Sequence, residues 1–236
     1  MSLSPTDRIF VALDTPDVDL AVSLAEKLRG HVGGVKLGME FYYANGPDGA
    51  RRVTEVGMPL FLDLKFHDIP NTVAGAVRST LALNPAILNV HAQGGPAMMQ
   101  AAAQALDGAG DDKPLLIAVT VLTSLGDEDL EAVGVNDGAE NQVVRLARLT
   151  QACGLGGVVC SPREIKAIRD ACGPDFKLVV PGIRPEWAAA GDQKRITTPA
   201  QAIRDGADYI VIGRPITGAD DPVDAAKRIA DELADL

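Results

Sequence analysis

Short apolar runs rich in β-branched residues recur along the chain, and each is followed by a stretch with a helical pattern of apolar and polar positions. Alternation with period two marks a strand, and a period near 3.6 marks a helix. On this basis the sequence predicts strands over Ile9–Asp14, Gly34–Gly38, Leu60–Lys65, Ile87–His91, Leu115–Val121, Gly157–Cys160, Lys177–Pro181 and Tyr209–Gly213. Helices are predicted over Val18–Arg29, Phe41–Val56, Val73–Leu83, Ala97–Leu106, Asn141–Ala152, Arg163–Ala171, Pro199–Asp205 and Val223–Leu233. Two helix starts, Ser161-Pro162-Arg163-Glu164 and Thr198-Pro199-Ala200-Gln201, read as capping boxes with proline at the first helical position. Eight β-then-α units in 236 residues predict an α/β protein whose strands close into a (β/α)8 TIM barrel. No linker or low-complexity segment divides residues 1–236, so one domain is expected. An open doubly wound sheet is the alternative, but no G-x-G-x-x-G follows the first strand.

The strands are apolar on one face and interrupted by charge on the other. Asp63 and Lys65 share a face while Leu62, Leu64 and Phe66 take the opposite one. Phe10, Ala12 and Asp14 share a face, as do Gly34, Lys36 and Gly38. Three adjacent strands therefore carry Asp14, Lys36, Asp63 and Lys65 to the C-terminal mouth, the active face of such barrels, and Asp68 follows in the next loop. Burying charges is costly, and apolar replacements of buried ion pairs are often as stable, so folding gives little reason for this array. A reaction that must repel one carboxylate and supply one proton does give a reason. Asn89 and His91 share a face at the end of the fourth strand, where His91 is equally well read as a hydrogen-bonded mouth residue.

The far side of the mouth suits a phosphate. Barrels often bind phosphate with the loops after strands seven and eight. There the chain carries Arg184 after Pro181-Gly182-Ile183, and Arg214 after Gly213. Glycine permits close backbone approach, and a guanidinium offers a bidentate fork. Two loops are long, Thr123–Glu140 with a short acidic helical stretch at Asp127–Ala132, and Arg184–Thr197. Long βα loops in barrels often act as lids.

Composition narrows the chemistry. A net charge of −10 argues against a nucleic-acid groove, while leaving room for a locally basic small-molecule site. The three cysteines are an odd number without C-x-x-C spacing, which points to a reducing, cytoplasmic setting. The first residues hold no apolar segment of signal-peptide type, and the longest apolar stretch is too short for a membrane span. No metal-ligand motif or nucleophile elbow occurs. Two nearby carboxylates could hold Mg²⁺, but Lys65 between them would compete, so a site free of metal and of any other cofactor is expected.

The residues resemble those of the orotidine 5′-phosphate decarboxylases across almost the whole chain. The resemblance rests on Val11-Ala12-Leu13-Asp14, Lys36-Leu37-Gly38, Val119-Thr120-Val121-Leu122-Thr123-Ser124, Pro181-Gly182-Ile183-Arg184 and Ile212-Gly213-Arg214-Pro215-Ile216. Above all it rests on Asp63-Leu64-Lys65-Phe66-His67-Asp68-Ile69-Pro70-Asn71-Thr72, which matches the bacterial pattern throughout. The resemblance implies conversion of orotidine 5′-monophosphate (OMP) to UMP by a homodimer with shared active sites. It implies that Lys65 donates a proton to C6, that Asp63 faces the substrate carboxylate, and that Lys36 and Asp14 hold ribose hydroxyls and the charge chain. Asp68 and Thr72 would serve the neighbouring subunit's site, and Ile69 would bind substrate. Thr123 and Ser124 would contact the base, and Arg184, Gln193, Gly213 and Arg214 would close over the phosphate and the base edge. Two other readings stay open. One is a metal-dependent phosphosugar barrel of the 3-keto-gulonate-6-phosphate decarboxylase or hexulose-phosphate synthase type, which shares the Asp-x-Lys-x-x-Asp array. The other is a non-catalytic phosphate-binding barrel.

Overall fold

The computed structural model describes residues 3–110, 113–188, 197–234 and 236. Eight parallel strands pair in chain order and close on themselves. They are β1 (Ile9–Ala12), β2 (Gly34–Gly38), β3 (Leu60–Phe66), β4 (Ile87–His91), β5 (Leu115–Val119), β6 (Gly157–Val159), β7 (Lys177–Pro181) and β8 (Tyr209–Ile212). Closure runs through Ile9↔Ile210 and Val11↔Ile212 between β1 and β8. The helices are α1 (Val18–Leu28), α2 (Met39–Thr54), α3 (Pro70–Thr80), α4 (Gly95–Gln104), α5 (Asp127–Ala132), α6 (Ala139–Ala152), α7 (Ile165–Cys172), α8 (Pro199–Asp205), α9 (Arg214–Thr217) and α10 (Pro222–Ala234). The architecture is the expected (β/α)8 TIM barrel.

The two faces of the strands separate into two cores. Phe10, Ala12, Phe61, Ile87, Ile117, Val179 and Val211 fill the barrel interior, with the Phe10 ring edge-on to Phe61 and Tyr209. The opposite strand face, with Val11, Val35, Leu37, Leu62, Leu88 and Val180, packs against the helices. Gly34 makes room for the interior cluster, since a Cβ there would fall 2.4 Å from the Phe10 ring. The register then sets Lys36 beside Ala12 and Asp63 beside Gly38, at the C-terminal end of the interior.

Several boundaries differ from the sequence reading. β1, β5, β6 and β8 stop one or two residues early, so Asp14, Val121, Cys160 and Gly213 belong to loops. α2 is broken at Gly46 (φ 62°), because Pro47 has no N–H to continue the helical ladder. The Ser161 box forms in full, with Ser161 Oγ accepting from Arg163 N and Glu164 Oε2 accepting from Ser161 N at 3.0 Å, and it opens a 3₁₀ turn ahead of α7. The Thr198 box forms only in half: Thr198 Oγ1 accepts from Gln201 N, but the Gln201 side chain turns forward to Asp205. The four residues of α9 are too few to show a helical period, and the sequence pattern does not predict this turn. No helix among the described residues is long and apolar enough to cross a membrane.

Candidate active site

β3 carries the centre of the site. Beyond Leu62↔Leu88 the next pair with β4 is Phe66↔Val90, so four steps along β3 match two along β4 and Asp63, Leu64 and Lys65 form a bulge. Lys65 sits at φ 51°, a left-handed conformation that a residue with a Cβ rarely adopts and that costs about 1–3 kcal/mol. The bulge directs the ammonium back over its own strand, where Lys65 Nζ donates to Asp63 Oδ1 at 2.7 Å.

From there an ion-pair chain runs across β2 to the loop after β1. Lys36 Nζ lies 3.4 Å from Asp63 Oδ2 and donates to Asp14 Oδ1 at 3.1 Å. Lys36 and Asp63 are each only 8% exposed, whereas Asp14 sits on the open rim. Burial alone would push the Asp63 carboxyl up, but the ammonium groups of Lys36 and Lys65, helped by hydrogen bonds from Lys65 and Asn89, hold it below the usual carboxylate range. Asp63 is therefore an anion clamped between two cations.

Asn89 completes this centre. It is fully buried, its Oδ1 accepts from Lys65 N at 2.8 Å, and its Nδ2 donates to Asp63 Oδ1 at 2.7 Å. Next to it His91 stacks on His67 with ring centroids 5.1 Å apart. Burial, with the nearby charges of His67 and Lys65, pushes the His91 imidazole down to about 4, so it is neutral at physiological pH. Its Nδ1 is buried and has no hydrogen-bond partner among the described residues. Strand alternation puts Asn89 and His91 on one face, but it carries no signal for the bridge that Asn89 makes.

The other candidate residues lie around this centre. Asp68 is exposed, and its Oδ1 accepts the Ile69 N–H at 2.6 Å rather than meeting the ammonium groups of its own barrel. Ile69 and Thr72 are also exposed. Thr123 and Ser124 line a cleft of about 880 Å³ with Leu122, Arg163, Pro181 and Gly182, beside the mouth over β5–β7. Arg184 is buried and its N–H bonds to Thr197 O, pinning the root of the loop after β7. Gly213 caps α9, accepting from Ile216 N and Thr217 N, and Arg214 opens that helix on the exposed rim. A Cβ on Gly213 would meet Ala12 at 3.6 Å, an ordinary contact, so packing alone does not demand glycine there. Gln193 lies outside the described residues.

The donor set suits a cation poorly. Both oxygens of Asp63 already face ammonium groups or a carboxamide. Among the described residues no group of three or more His, Cys, Asp or Glu could hold a metal ion. What the arrangement can do is present one proton and a fixed, alternating field to a small anionic molecule at the mouth.

Comparison with known proteins agrees with that chemistry. The model of the orotidine 5′-phosphate decarboxylase / HUMPS family matches residues 7–229. The chain is 54% identical over 232 residues to the orotidine 5′-phosphate decarboxylase of Paramagnetospirillum magneticum, covering 95% of this chain and 97% of that protein. It is 56% identical over 238 residues to that of Rhodospirillum rubrum, covering 99% and 96%. Among solved structures, orotidine 5′-phosphate decarboxylase from Lactobacillus acidophilus superposes with a TM-score of 0.84 at 39% identity, covering 95% of this chain and 98% of that one.

Proposed function

The chain belongs to the orotidine 5′-phosphate decarboxylase / HUMPS family, and from that membership and the geometry of the mouth we infer how it works. It is an enzyme of pyrimidine biosynthesis that decarboxylates OMP to UMP. The metal-dependent phosphosugar reading is not favoured, since the curated relatives at 50–56% identity are named orotidine 5′-phosphate decarboxylase.

The observation that carries the mechanism is the unbroken chain Asp14–Lys36–Asp63–Lys65. Loss of CO₂ from C6 leaves a carbanion that no adjacent carbonyl delocalises. The protein must then supply the rate by electrostatics and positioning, and the required barrier lowering falls in the upper part of the usual range of about 8–23 kcal/mol. Asp63 faces the departing carboxylate. Two unit charges at about 4 Å repel by roughly 4 kcal/mol at an effective dielectric near 20, too little to carry the reaction. Asp63 is moreover flanked by two cations, which offset its repulsion of the substrate. The larger share falls to Lys65, whose ammonium stabilises the developing carbanion and then gives it a proton.

The remaining residues bind. Asp14 and Lys36 hold ribose hydroxyls, Thr123 and Ser124 contact the base, and Arg184, Arg214, Gln193 and the Gly213 backbone take the phosphate and base edge. The phosphate, remote from C6, supplies binding energy that organises the mouth. The active unit is a homodimer in which Asp68, Ile69 and Thr72 enter the neighbouring site. Support comes from the exposed Asp68, whose carboxylate accepts the Ile69 N–H, and from Ile69, an apolar residue 67% exposed on that loop. A cytoplasmic setting is supported by three free cysteines.

The test follows the loss of OMP absorbance with purified protein before and after exhaustive chelation. Activity that survives EDTA supports this reading. Activity that EDTA removes and Mg²⁺ restores would return the enediolate-type phosphosugar chemistry to first place.

A further inference from the structure

Lys65 is the reacting group of this proposed mechanism, yet it sits in a backbone conformation that its own residue type disfavours. Something must hold it there. Its strand neighbours cannot, because the bulge removes the regular β3–β4 pairing between Leu62 and Phe66. The group that fills the gap comes from β4. The Asn89 carboxamide takes the Lys65 N–H at 2.8 Å and gives its own N–H to Asp63 Oδ1 at 2.7 Å. One fully buried side chain thus stands in for the missing ladder bonds and ties both β3 functional residues to each other.

We propose that Asn89 is a positioning residue for the decarboxylation, holding the left-handed Lys65 backbone with its oxygen and the Asp63 carboxylate with its nitrogen. Both halves of the amide are needed. A leucine would leave the half-buried Lys65 N–H without this acceptor, and a group without a donor would leave Asp63 Oδ1 with Lys65 Nζ alone. Asp63 meets Lys36 from β2, Lys65 from its own strand and Asn89 from β4, with Asp14 behind Lys36 and the neutral His91 close enough to Lys65 to feel its charge. Of the three side chains that meet Asp63, Asn89 carries no charge and also grips the Lys65 backbone.

The inference rests on the Lys65 mechanism above, and its test separates the two. Wild type is first shown to decarboxylate OMP and Lys65→Ala to fail; if that pair of results is not obtained, the mechanism falls and not this inference alone. Asn89→Ala is then expected to lower kcat about hundredfold while UMP affinity moves less than about threefold, because Lys65 and Asp63 are misplaced and the phosphate grip is not. The acid limb of its kcat profile should shift to higher pH, since Asp63 loses a donor that favours its anion. Asn89→Asp keeps the shape and the acceptor but loses the donor. Its kcat relative to wild type should rise as pH falls from 9 to 5, because only a protonated Asp can donate to Asp63. A purely structural residue would lower kcat and UMP affinity together without moving either pH profile, and that result overturns the inference. Wild-type kcat in Asn89→Ala overturns it too. If Asn89→Ala does not fold, the near-isosteric Asn89→Asp decides, and failure of both to fold assigns Asn89 to folding and overturns the positioning role.

Discussion

Lys65 Nζ donates to Asp63 Oδ1 at 2.7 Å although the two residues are neighbours-but-one on a single strand. In a regular strand such residues stand side by side, pointing the same way. Here the bulge and the positive φ of Lys65 fold the longer side chain back onto the shorter. The consequence is functional. In the proposed mechanism, the lysine assigned as proton donor and the carboxylate assigned to face the leaving CO₂ are thus held against each other by one short piece of chain.

The proposed sharing of sites between subunits is tested by complementation. Asp68→Ala and Lys65→Ala homodimers are each expected to be nearly inactive. Mixed and allowed to exchange subunits, they form heterodimers with one wild-type site and one doubly defective site. At equimolar random exchange the mixture should recover about a quarter of wild-type activity. No recovery, with heterodimers seen by native mass spectrometry, would mean that Asp68 serves its own barrel.

Arg214→Ala is expected to raise KM for OMP and to lower kcat/KM by about two orders of magnitude, the scale of a lost charge-assisted phosphate contact. The nucleoside orotidine, lacking the phosphate, should lose far less. Equal losses for both substrates would place Arg214 in folding or base recognition.

His91 gives a stability prediction. Its imidazole is held down at about 4 by burial first and by His67 and Lys65 second. Above the ordinary histidine pKa of about 6.5 it is neutral in both the folded and the unfolded chain, so it contributes nothing there. Between about 6.5 and 4 the unfolded chain takes up a proton that the fold refuses, and stability falls as pH falls. His91→Phe removes this linkage, so its stability measured by thermal unfolding should decline less than that of wild type across this window. Parallel curves for the two proteins would show that His91 is not buried neutral.

Much of the barrel is visible in the amino-acid pattern because strand alternation is a strong signal. Phe10 and Phe61 turn inward and Leu37 and Leu62 outward, as their positions predict. The meeting of Lys36 and Asp63 follows from the same alternation. Lys65 is different. A left-handed lysine has no sequence signature, since that conformation is otherwise the habit of glycine and asparagine, so the bulge and the Asn89 bridge stay hidden. The break in α2 did have a signal, Gly46-Pro47, which the surrounding helical pattern overrode. The Asp14 carboxylate reaches Lys36 from a loop rather than from a strand, because β1 ends at Ala12.

The most direct measurement compares OMP turnover by wild type and Lys65→Ala under single-turnover conditions, with UMP binding and far-UV circular dichroism as controls. If Lys65 stabilises and protonates the C6 carbanion, the variant keeps its fold and binds UMP within about tenfold of wild type, while decarboxylation falls by at least about 10⁴-fold. Decarboxylation near the wild-type rate in a folded, UMP-binding Lys65→Ala would contradict the mechanism.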